Sequence, residues 1–85
     1  MPIAGVVVYA RPGHIRTVEQ AVSVQPGVEV HAVSEDGKLV VTIEGESRGE
    51  VADMIYKLDR LDGVMNAAMV YEHSEYDPKQ LEASQ

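Results

Sequence analysis

The chain has 85 residues, with 14 acidic against 7 basic side chains and a formal net charge of −7. That length bounds it to one domain with a thin core, and the charge argues against nucleic acid and anionic membrane surfaces, which both require a basic footprint. There is no cysteine, so disulfides, thiolate metal sites and thiol nucleophiles are excluded; no apolar run nears the ~20 residues that cross a bilayer, no basic leader precedes Ile3, and a cytoplasmic protein is expected.

Ile3 to Ala10 is a β-rich run centred on Val6-Val7-Val8-Tyr9. Arg11-Pro12-Gly13 interrupts it, and Pro12 suits the first turn of a helix. Ile15, Val18 and Val22 then recur at helical spacing, with Arg16, Glu19, Gln20 and Ser23 between them. Pro26-Gly27 stops that helix. Val28 to Ser34 is predicted as a second strand, and Glu35-Asp36-Gly37-Lys38 as a hairpin turn, because Asp-Gly tolerates positive φ. Leu39 to Glu44 is the third strand. Ser47-Arg48-Gly49-Glu50 matches a capping box at the start of a second helix, whose apolar stripe is Val51, Ile55 and Leu58. Asp62-Gly63 ends it, and Val64 to Glu72 is the last strand. Beyond His73 the chain is polar with a proline at Pro78, which predicts a domain over 1–73 and a frayed or disordered tail over 74–85.

The order is β-α-β-β-α-β, and its halves echo each other: Ile15/Val51, Val18/Met54 and Val22/Leu58 stand 36 positions apart, as do Gly27 and Gly63. This is the duplicated split βαβ pattern of the ferredoxin-like α+β fold. Right-handed crossovers put both helices on one face of a four-stranded antiparallel sheet, with the first and third strands expected at its centre.

Strand side chains alternate between faces. Strict alternation directs Val6, Val8, Ala10, Val30, Ala32, Leu39, Val41, Ile43, Ala67, Met69 and Tyr71 to the helices. The opposite phase carries Gly5, Val33 and Asn66 and ten candidate contact residues, Val7, Tyr9, Glu29, His31, Val40, Thr42, Glu44, Ala68, Val70 and Glu72. Nothing in the chain remains to cover that second face, yet its centre is apolar. Apolar residues in both phases mark a sheet covered on both sides or an interaction surface. Glu29, Glu44 and Glu72 lie at its margins. These ten residues are the candidate binding site.

Catalysis needs a nucleophile with a base, paired carboxylates in a pocket, or a metal. His14, His31 and His73 fall on different elements and are expected as surface residues. Gly13 and Gly37 are lone turn glycines, with no phosphate loop. Arg11-Pro12-Gly13-His14 is a weak echo of the anion cradle of acylphosphatases, without the Asn-bearing strand that should follow. No enzyme activity, cofactor or metal is expected.

Several segments together resemble the NapD family. They are Gly5-Val6-Val7-Val8-Tyr9-Ala10-Arg11-Pro12 with Ile15 and Val18, then Gln25-Pro26-Gly27-Val28-Glu29-Val30-His31, then Gly37-Lys38-Leu39-Val40-Val41-Thr42-Ile43-Glu44. Leu61-Asp62-Gly63-Val64 leading to Ala68-Met69-Val70-Tyr71-Glu72 completes the set. The resemblance covers about residues 3 to 73. It implies a ferredoxin-like fold and a cytoplasmic chaperone that binds the twin-arginine signal peptide of the catalytic subunit of periplasmic nitrate reductase. Such a chaperone holds back export until the molybdenum cofactor is loaded. The family brings no catalytic motif to these positions. The face described above suits such a partner: an apolar floor for the apolar stretch, marginal carboxylates for the guanidiniums, and Tyr9 as a surface on which an arginine can stack. A monomer or weak dimer is expected. The alternatives are a self-associating ligand-sensing module of the same fold, or an acylphosphatase-like hydrolase.

Overall fold

The six elements form where local chemistry directs them. β1 (Ile3–Ala10) ends at a turn in which the N–H of His14 donates to the carbonyl of Arg11 at 2.9 Å. Pro12 and Gly13 are its central residues, and Gly13 has φ +83°, so the turn is of the type that needs glycine third. Pro12 therefore sits ahead of the helix and not in its first turn. α1 (Ile15–Ser23) buries Val18 and Val22. β2 (Val28–Val33) and β3 (Lys38–Glu44) are joined by a hairpin in which only Gly37 takes positive φ, +93°. In that hairpin the Asp36 carboxyl is held below its ordinary value, chiefly by the hydroxyl of Ser34 and to a lesser degree by Lys38, against a small opposing cost of desolvation. α2 (Arg48–Asp59) is capped by Ser47, whose Oγ accepts the N–H of Glu50 at 3.1 Å. The Glu50 carboxylate accepts the N–H of Glu46, one residue earlier than a standard capping box. β4 (Val64–His73) closes the domain.

This computed structural model describes residues 1–73, and the tail expected over 74–85 lies outside them. The sheet is four-stranded and antiparallel in the order β2-β3-β1-β4, with β1 and β3 central. Both helices pack on one side of it. The shared core joins Ala4, Val6, Val8 and Ala10 to Leu39, Val41 and Ile43 and to Val18, Val22, Val51 and Leu58. Every one of these is an aliphatic side chain withdrawn almost wholly from water, each contributing about 1.5–3 kcal/mol of transfer free energy if it is Val, Leu or Ile. The fold is ferredoxin-like, as its element order predicts.

Three bulges correct the strict alternation assumed from sequence. In β2, Val30 pairs with Val41 but Ala32 pairs with Val40, so His31 is the extra residue. Ala32 consequently stands on the open face, and Val33, opposite Leu39, on the helix side. In β4 the pairing jumps from Gly5–Tyr71 to Val6–Met69 and from Tyr9–Asn66 to Ala10–Val64, making Val70 and Met65 extra. Tyr71 thereby faces away from the helices, contrary to expectation. Glu72, opposite Ala4, faces toward them. Its carboxylate meets Arg48 Nη2 at 2.9 Å, tying the end of β4 to the start of α2. Met69 keeps the expected phase but is 52% exposed, because β4 is an edge strand.

Candidate functional site

Among the described residues, nothing covers the side of the sheet opposite the helices. The register lays its side chains out in rows across β2, β3, β1 and β4. The middle row is Ala32, Val40, Val7 and Ala68. Above it lie Glu29, Thr42, Gly5 and Tyr71; beyond those come Glu44, Ile3 and His73. On the other flank of the middle row stand Lys38, Tyr9 and Asn66. Val40 is 44% exposed, Val70 65% and Tyr71 47%, so apolar surface faces water in the middle of the sheet. Such a contiguous patch marks an interaction site.

The face is not flat. Gly5 leaves a dip where the central strand carries no side chain, and Tyr71 folds over it. A Cβ built on Gly5 would fall against the Tyr71 ring, with Cζ only 2.7 Å away. Glycine within a strand marks close approach of another group, and here that group is an aromatic ring. Gly5, His31, Val40, Thr42, Val70 and Tyr71 line a shallow depression of about 250 Å³ with Val6 and Val41 at its base. His31 Nε2 lies 2.8 Å from Thr42 Oγ1, which sets the imidazole against the floor of the face. Glu29 Oε2 is 3.8 Å from His31 Nδ1. The rings of Tyr71 and His73 pack at 5.8 Å between centroids.

Glu29, Thr42 and Glu44 also belong to a larger cleft of about 710 Å³ that runs around the end of the sheet, past the start of β2 and the end of β3, to α2. Glu46, Glu50 and Asp53 line it as well, with Lys57 and the N-terminal residue Met1 as its basic groups. Glu29 and Glu44 thus stand with the cleft's other carboxylates at the end where β2 and β1 begin. At the opposite end Lys38 is paired with Asp36 at 3.8 Å.

Of the ten residues nominated from sequence, Val7, Tyr9, Glu29, His31, Val40, Thr42, Glu44, Ala68 and Val70 do share this face; Glu72 does not. Sequence reasoning missed Ile3, Tyr71, Ala32 and His73, the last three because a bulge reverses their phase. Gly5 has the right phase but no side chain to nominate it; its signal was a lone glycine inside a valine-rich strand.

The family model for NapD protein matches residues 1–76. The chain belongs to the NapD family. A curated relative, Chaperone NapD of Paracoccus pantotrophus, is 34% identical over 70 residues, which is 82% of this chain. The match spans only 62% of that relative's length. The solution structure of the E. coli Tat proofreading chaperone protein NapD superposes with a TM-score of 0.76 at 25% identity, covering 89% of this chain and 80% of that one. The expected family and fold are both borne out. The NapD proteins it matches are named chaperones, which accords with a binding surface built of apolar and carboxylate side chains. No helix among the described residues is long and apolar enough to cross a membrane.

Proposed function

We propose that this chain is a cytoplasmic maturation chaperone, not an enzyme, and that its open sheet face holds the twin-arginine signal peptide of the catalytic subunit of periplasmic nitrate reductase until the cofactor is loaded. The observation that carries this reading is the uncovered apolar row Ala32, Val40, Val7 and Ala68, bordered at one end by Glu29 and Glu44. It occurs in a member of a family whose E. coli relative is titled a Tat proofreading chaperone.

A twin-arginine signal joins two adjacent guanidiniums to an apolar stretch. The apolar row takes the stretch, and carboxylates receive the guanidiniums through charge-assisted hydrogen bonds. Exposed ion pairs contribute on the order of 0–1 kcal/mol each, so burial of the apolar stretch supplies most of the affinity. Their field reaches about 8 Å at physiological ionic strength, so salt weakens binding moderately without abolishing it.

Calorimetric titration with a synthetic twin-arginine peptide and its twin-lysine variant, at low and high salt, tests this. The arginine peptide binds more tightly at both salts, because lysine keeps the charge but lacks the planar fork. Equal affinity for the two peptides, with no salt effect, contradicts the reading. It would leave hydrophobic capture alone.

A further inference from the structure

Resting on that reading, we infer that the open face binds its peptide in one direction. The arginines lie at the Ile3–Glu44–Tyr71 end, and the apolar stretch runs along β1 toward Tyr9.

The two ends of the face differ in kind. At one end Glu29 and Glu44 open into the carboxylate-lined cleft, where five acidic side chains stand against Lys57 and the amino group of Met1. Thr42 lines both that cleft and the depression over Gly5, so the two are continuous. On the β4 side of the same end, the Tyr71 and His73 rings pack against each other, and Tyr71 is half exposed. The ring and the carboxylates stand on different strands of this end, so one guanidinium of the pair stacks on Tyr71 while the other donates its N–H groups to Glu44 or Glu29. Tyr9, by contrast, stands beside Lys38 and Asn66. Lys38 presents an ammonium to that neighbourhood, its charge offset by Asp36. A guanidinium brought to Tyr9 would meet the Lys38 ammonium, and the Asp36 carboxylate there is already paired. Tyr71 is therefore the tyrosine that contacts an arginine, in place of Tyr9.

Between the ends lies the apolar row, and the distances suit the occupant. From Ile3 to Tyr9, β1 runs about 20 Å, the length of roughly 13 residues of a peptide bound as a helix, the conformation we assign to the apolar stretch. Charge complementarity and length together place the apolar stretch over Val7, Val40 and Ala68, with its far end near Tyr9 and Asn66.

Direction can be read with a nitroxide on the peptide, and a chain without cysteine cannot exchange with a thiol-linked label. The full chain is labelled with nitrogen-15. A twin-arginine peptide carries the nitroxide either just before its arginines or at the end of its apolar stretch. The first label broadens the amides of Ile3, Thr42 and Glu44 more than those of Tyr9, Lys38 and Asn66; the second does the reverse. In parallel, Glu44→Lys weakens binding by about two- to fivefold, whereas Glu35→Lys, the same charge change at the hairpin end, weakens it less. Tyr71→Ala lowers the preference for the twin-arginine over the twin-lysine peptide, and Tyr9→Ala leaves that preference intact. The inference is overturned by a reversed broadening pattern, by equal broadening at both ends, or by Glu35→Lys matching Glu44→Lys. Absence of any broadening on the open face would overturn both the direction and the reading on which it rests.

Discussion

Gly5 and Tyr71 show how much of the open face turns on a single missing side chain. Gly5 lies in a central strand, where glycine ordinarily weakens the sheet, and the Tyr71 ring occupies the space its side chain would fill. Gly5→Ala forces the ring aside. The expected cost is about 1–3 kcal/mol, as for other insertions of a methyl group into an occupied space, read from denaturant unfolding. In a Tyr71→Ala background the same substitution costs much less, so the double-mutant cycle shows a clear coupling. Additive costs would mean that the ring is not held against Gly5 in solution. Glu72 is the contrasting residue. Strict alternation along β4 nominated it for the open face, yet its carboxylate pairs with Arg48 on the other side.

At the scale of elements, β3 separates the two faces most sharply. Val41 is fully buried, whereas its neighbour Val40 is 44% exposed on the open face. Val41→Glu places a charge in the core at a cost of several kcal/mol, comparable to the whole stability of a small domain. It is expected to unfold the chain. Val40→Glu leaves the circular dichroism and melting midpoint near those of the parent and abolishes peptide binding. Unfolding by Val40→Glu with a stable Val41→Glu would invert the assignment of faces. β1 and β3 were legible from sequence because they pair without interruption from Ile3–Glu44 to Tyr9–Lys38, and uninterrupted pairing preserves the period of two. The helices were legible from the stripes that bury Val18, Val22, Val51 and Leu58. The edge strands were not. An extra residue at His31, Met65 or Val70 shifts every later side chain to the other face, and no local residue preference announces it. Nine of the ten nominated residues still share the face: the central strands are regular, Glu29 precedes the β2 bulge, and of the nominees on β4 only Glu72 ends on the wrong side.

At the scale of the molecule, the domain covers one side of its sheet with two helices and leaves the other side apolar and bare among the described residues. Its charge is distributed unevenly, with the carboxylate-lined cleft at the start of β2. On the proposed function, this shape is a platform that a signal peptide would complete by supplying the second cover the sheet lacks. The most direct test is a nitrogen-15 chemical-shift titration of the whole chain with an unlabelled twin-arginine peptide. The account predicts that the largest changes fall on Gly5, Val7, Val40, Thr42, Ala68 and Tyr71, with the outer surfaces of α1 and α2, at Glu19, Tyr56 and Arg60, little affected. Changes concentrated on those helix residues, with the sheet face silent, would contradict it.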